Sequence, residues 1–195
     1  MGECLREAQA LAETLGDQRR LGRVLSYLAH LLQRLHEYDH AIASGRRALT
    51  IAVDLGDPGL QVATNFFLGQ IHSGLGDYRE AAQYFRSIVN SLEGDRLHDR
   101  FGMVALPAVQ ARSFLAGCLA VLGALAEAVI YAYGRSRALI QDANIPVLHI
   151  NTTFGLRAVY VLSGRVAAAI RCWSRRWNRP CRCHSCPSIR KGSRR

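Results

Sequence analysis

Lysine is all but missing from this 195-residue sequence: Lys191 stands alone among 25 basic residues, and the other 24 are arginine. With it goes any G-x-x-x-x-G-K-[ST] phosphate loop, so a P-loop nucleotide site is excluded. The arginine bias points to a GC-rich gene and carries no mechanism. Proline is also scarce, at 5 residues against 49% hydrophobic residues, which excludes general disorder. No stretch holds a sustained apolar–polar alternation, so no strand is expected. Cysteine is sparse over residues 1–170, with only Cys4 and Cys118, and no basic-then-apolar leader opens the chain. Both features predict a reducing, cytoplasmic protein. Acidic residues are absent from 171–195, where nine of the basic residues lie. Residues 1–170 carry 16 basic and 15 acidic residues, so the formal charge of +10 belongs almost wholly to the tail. The length suits one domain with a sizeable core.

Long apolar runs are confined to one place, residues 114–134, where Glu127 is the single charge. The run is long enough to span a bilayer. A carboxylate at mid-span costs about 2.5–3.5 kcal/mol, and the run is built from Ala and Gly rather than Leu and Ile. A close helix–helix crossing explains the small residues better.

What the sequence does have is internal repetition. Gly76-Asp77-Tyr78-Arg79-Glu80-Ala81, Gly123-Ala124-Leu125-Ala126-Glu127-Ala128 and Gly164-Arg165-Val166-Ala167-Ala168-Ala169 share one pattern. His36-Glu37-Tyr38-Asp39-His40-Ala41 is a fourth copy with His for the first Gly. Twelve residues before each Ala stand Ala29, Gly69, Ala116 and, in the last copy, Arg157; the position before is always Leu (Leu28, Leu68, Leu115, Leu156). Leu and a small residue on one helix would face a small residue early in the next, letting two backbones approach. The glycine would open the turn, where a positive φ costs it little. Tyr38 and Tyr78 would fill the space there. Apolar spacing is helical, as in Leu21, Val24, Leu25, Leu28, Leu31, Leu32 and Leu35. The expected fold is all-α.

The marks Ala29/Ala41, Gly69/Ala81/Phe85 and Ala116/Ala128 resemble those of the tetratricopeptide repeat. The resemblance implies helical hairpins stacked in a right-handed superhelix over residues 1–170. The Ala marks are 40, 47 and 41 residues apart, longer than the 34 of that repeat, and its signature Trp is absent. Residues 17–32, 61–102 and 106–123 further resemble the tetratricopeptide-like region C-terminal to the ATPase module of bacterial adenylate/guanylate cyclase-type signalling proteins. That likeness implies a regulatory or scaffolding part of a larger signalling protein, without catalysis or cofactor of its own. Residues 3–15 read as a second helix lacking its first, which suggests a fragment.

Past Ala169 the pattern fails. Residues 171–195 have no apolar period and contain Trp173, Trp177, Pro180 and Pro187. They are expected to be a disordered basic tail. A nucleic-acid arm is the alternative function, with the Trp pair stacking on bases. A zinc knuckle from Cys181, Cys183, His184 and Cys186, with Cys172 from outside, has donors too crowded for a structural site. A shifted reading frame is a third account, since GC-rich codons for Arg171–Ser174 hide Leu-Leu-Glu.

Among candidate sites, His36-Glu37-Tyr38-Asp39-His40 satisfies H-E-x-x-H, which binds zinc only when both His share one helix face. The repeat register puts these residues at a turn, so no metal is expected. Ser26, Ser73 and Ser113 lack a nucleophile elbow. His30, His72, His98 and His149 read as surface or groove residues, and Glu93, Asp95 and Asp99 as a charged loop. The expected function is protein–protein interaction through a concave groove lined by first helices. In that register the groove carries Arg23, Ser26, His30, Gln33 and Arg34, then Phe66, Gln70 and Ser73, then Gln110, Ser113, Asn151 and Phe154. The expected partner is a protein or peptide, or another domain of a larger protein, and no membrane.

Overall fold

The computed structural model describes residues 2–103 and 105–133, with the isolated positions 161, 162 and 164. Among the described residues there are seven α-helices, one 3-10 helix and no strand. In order they are α1 (Gly2–Thr14), α2 (Gln18–Arg34), α3 (Tyr38–Asp54), α4 (Pro58–Leu75), α5 (Tyr78–Ser91), the 3-10 turn Gly94–His98, α6 (Pro107–Val121) and α7 (Leu125–Tyr133). The pairs α2/α3, α4/α5 and α6/α7 are antiparallel hairpins. Each packs on the next, and the first helices also touch each other, α2 on α4 and α4 on α6. The first helices therefore line the inner face of the array.

Every described helix-to-helix turn except the longer α5–α6 connection is closed by the same two hydrogen bonds. In the first, the Gly16 N–H donates to the Glu13 carbonyl (3.2 Å) and the Asp17 N–H to that of Ala12 (3.0 Å). The same pair recurs at His36/Glu37, Gly56/Asp57, Gly76/Asp77 and Gly123/Ala124. This is the Schellman arrangement, whose pivot residue must be left-handed. The pivots stand at 16, 36, 56 and 76, one every 20 residues, with φ of 65°, 63°, 57° and 87°. His36 thus adopts the conformation that the repeat pattern assigned to a glycine. The preceding residue is Leu each time (Leu15, Leu35, Leu55, Leu75), which makes the sequence a chain of 20-residue helix-plus-turn units.

The small-residue positions do what their spacing predicts. Ala29, Ala41, Ala81, Ala116 and Ala128 are all fully buried. A Cβ on Gly69 would stand 2.8 Å from the Phe85 ring, so the missing side chain is what admits that ring between α4 and α5. Phe85 packs in turn on Phe66 (5.9 Å between centroids) and Phe114 (5.3 Å). The apolar run 114–134 is divided between α6 and α7 by the turn at Gly123. Glu127 accepts a hydrogen bond from Arg86 of α5 at 2.7 Å. No described helix is long and apolar enough to cross a membrane.

Leu156, Arg157 and the last Ala mark, together with the whole 171–195 tail and its zinc, nucleic-acid and shifted-frame readings, lie outside the described residues.

Candidate partner-binding cleft

The inner face is not a uniform groove. A cleft of about 830 Å³ opens between α2, the first half of α4, the α5–α6 connection and the start of α6. From α2 it takes Arg23, Ser26, Tyr27 and His30, spaced i, i+3, i+4 and i+7 along one helix face. From α4 it takes Asp57 to Leu60, then Ala63 and Phe67, and from α6 Gln110. Phe101, Gly102, Met103 and Ala105 of the connection close the remaining side.

The floor is aromatic. His30 lies flat on Phe67, centroids 4.7 Å apart and rings 10° from parallel, and Tyr27 tilts against the same ring at 6.5 Å. Burial lowers the His30 pKa below its ordinary 6.5, and the Arg34 charge adds to the effect, so the imidazole is neutral at pH 7. Beneath it the Thr64 hydroxyl donates to Ser26 Oγ at 3.2 Å, both groups buried. Asp57 is already engaged: Oδ1 accepts the Leu60 N–H at 3.0 Å, capping α4, and Oδ2 lies 3.8 Å from Arg19. Among the described residues the exposed Arg23 has no ion-pair partner, so it offers a positive charge at the mouth of the cleft.

Of the residues read as groove positions, Arg23, Ser26, His30 and Gln110 meet in this cleft. Gln33, Arg34, Gln70 and Ser73 lie on the same helices outside it. Phe66 and Ser113 are placed differently from the expectation: both are buried, at 3% and 2% exposure. The α4 register is one residue off, so Phe67 faces the cleft and Phe66 enters the Phe85–Phe114 core. Asn151 and Phe154 lie outside the described residues. The sequence reading missed Tyr27 and the whole Phe101–Met103 wall. The available signal was the 47-residue spacing, whose surplus falls in that connection.

His72 is also displaced from its expected surface position, buried at 5% and stacked on Tyr84 at 5.5 Å. The H-E-x-x-H residues straddle the α2–α3 turn: His36 and Glu37 lie outside the helices and His40 inside α3. His36 Nδ1 sits 3.0 Å from the Tyr38 hydroxyl and His40 3.5 Å from Glu37, so the two imidazoles serve different neighbours. Among the described residues no group of three His, Cys, Asp or Glu could hold a metal ion. Cys4 is free and exposed, and Cys118 is free and buried, its thiol pushed up to about 11 mainly by desolvation.

The comparisons bear on the hairpin array at the level of family likeness and fold. Residues 20–93 match the tetratricopeptide repeat family, a non-catalytic repeat that mediates protein–protein contact. No curated protein matches the chain. Among solved structures, the crystal structure of BtubC (BKLC) from P. vanneervenii superposes with a TM-score of 0.69 at 22% identity, over 97% of this chain and 78% of that one. That likeness is one of fold.

Proposed function

We propose that this chain is a protein-interaction module that binds a segment of a protein partner in the α2–α4–α6 cleft. The observation that carries it is the cleft itself. Phe67 and its stacked His30 line about 830 Å³ of open volume on the concave face that hairpin stacking leaves free for a partner. The exposed Arg23 at the mouth favours a segment bearing a carboxylate. A role within a cyclase-type signalling ATPase rests on the likeness of residues 17–32, 61–102 and 106–123, and belongs to this proposal only as its biological setting.

Screening a synthetic peptide library on the immobilised chain should select acidic segments. Arg23→Glu should weaken the selected peptides about tenfold, equivalent to about 1.4 kcal/mol. Arg34→Glu, outside the cleft, should weaken them less. Unchanged affinity in Arg23→Glu would remove that residue from the site, and a selection without acidic bias would remove the electrostatic argument.

A further inference from the structure

The three hairpins do not repeat evenly. Ala41 and Ala81 are 40 residues apart, but Ala81 and Ala128 are 47 apart, and the seven extra residues fall between α5 and α6. Most of that connection, residues 93–96 and 98–100, is exposed, but three of its side chains turn back onto the protein. Its ends are fixed by Leu92, Ala105 and Leu106, all buried, and Leu97, Phe101 and Met103 pack on the core from between them. It then crosses the inner face of the array toward the start of α4.

Phe101 holds it there. Its ring lies on Gly59, where an added Cβ would meet the ring at 3.0 Å, so the absence of a side chain at 59 is what seats the ring. The Arg96 guanidinium covers the ring at 5.9 Å from its centroid. Phe101 itself has φ 47° and is followed by Gly102 at φ 76°. Two consecutive left-handed residues turn the chain sharply enough to direct both Phe101 and Met103 at the cleft. A non-glycine residue in this conformation is uncommon and is held by its surroundings.

We infer that this connection is the selectivity wall of the cleft: it turns an open groove into a pocket that takes one large aromatic side chain of the partner, presented end-on. The inference rests on the cleft being the partner site. An extended peptide lying from α2 across α4 to α6 would have to pass through Phe101 and Met103. At about 830 Å³ the half-open cleft has room for an aromatic side chain together with flanking parts of the segment that presents it. Its faces are the rings of Tyr27, Phe67 and Phe101 and the thioether of Met103, which favour a flat, polarizable guest over a branched aliphatic one.

The fluorescent probe 8-anilinonaphthalene-1-sulfonate supplies such a group and can be titrated into the full chain, with circular dichroism confirming that each variant is folded. Wild type should bind it saturably at a single site. Phe101→Ala and Gly59→Leu, which remove or displace the wall, should each weaken binding about fivefold or more, as should Phe67→Ala in the floor. Tyr27→Ser, at a position 56% exposed, repeats the floor test with little risk to folding. Loss in the floor variants with full binding in both wall variants overturns the wall and leaves the cleft reading intact. Binding that no variant changes, or no binding by wild type, overturns both.

Discussion

Gly69 and Gly117 are both mid-helix glycines, and the same substitution should act on them with opposite signs. Alanine is better than glycine in a helix by about 1 kcal/mol, so an unobstructed site gains stability. Gly117, in α6, has nothing within 4 Å of an added Cβ among the described residues, and Gly117→Ala should raise the melting temperature. At Gly69 the Cβ would sit 2.8 Å from Phe85, a ring with no exposed surface and with Phe66 and Phe114 behind it. Overpacking there costs about 1–3 kcal/mol, so Gly69→Ala should lower stability by about 1 kcal/mol net. Thermal denaturation of the two variants checks both; equal shifts would contradict the close α4–α5 crossing. His30 gives a second residue-scale test. Its pKa is depressed in the folded chain, so unfolding takes up a proton as the pH falls below 6.5. Its contribution is fully present above that value and is lost as pH falls toward the depressed pKa. His30→Gln should therefore lose less stability than wild type between about pH 7 and pH 5 in parallel denaturant titrations.

At the scale of the element, the helices are defined by their ends as much as by their faces. Asp57 and Asp77 follow the same left-handed pivot, but only Asp57 makes a side-chain cap, to the Leu60 N–H. Asp57→Ala should cost about 1 kcal/mol and Asp77→Ala, whose carboxylate caps nothing and lies 3.6 Å from His72 Nδ1, clearly less, measured by urea unfolding; equal costs would contradict the cap as the source of the difference. The ends at Gly16, Gly76 and Gly123 were legible in the sequence because a glycine at fixed spacing is a local instruction, whereas the Gly56–Asp57 end and the 20-residue Leu spacing emerge only with the structure. The copy with His36 was found by its spacing and does adopt the left-handed turn, at φ 63°. The faces were less legible. Phe66 and Phe67 are adjacent and equally apolar, and only the approach of Phe114 from α6 decides that Phe66 goes inward. The cleft wall was illegible for a similar reason: residues 93–103 carry charges and glycines that read as a loop, and nothing local says where Phe101 will land. His72 illustrates the same limit, since it is buried by Tyr84 of the following helix.

For the molecule as a whole, the question is whether the array melts as one body. Its core is divided. Ala12, Leu21, Leu25, Ala48 and Ile51 form one cluster among α1–α3, and Leu28, Ala29, Leu32, Ala41, Leu68 and Ile71 a second that bridges α2 and α3 to α4. The third and largest runs from Val62 to Ala128 across α4–α7 and holds the Phe66–Phe85–Phe114 group. Each hairpin packs on its neighbours alone, so stability is a sum of hairpin terms and interface terms, and damage at one end need not reach the other. Among the described residues, polar ties between elements include the buried Thr64–Ser26 bond and exposed ion pairs such as Arg47–Glu13 at 2.8 Å, and exposed pairs contribute only about 0–1 kcal/mol each. Leu25→Ala removes a side chain 2% exposed at the centre of the first cluster and should cost about 2–5 kcal/mol. In native-state hydrogen exchange, amides of α1–α3 should lose protection by that amount while those of α5 and α6 keep most of theirs. A uniform loss across all helices would mean that the α4 bridge couples the clusters into one cooperative unit. The cleft lies across that bridge, with α2 on one side and the Phe101 wall on the other, so the same experiment tells whether a ligand held there joins two independently melting halves.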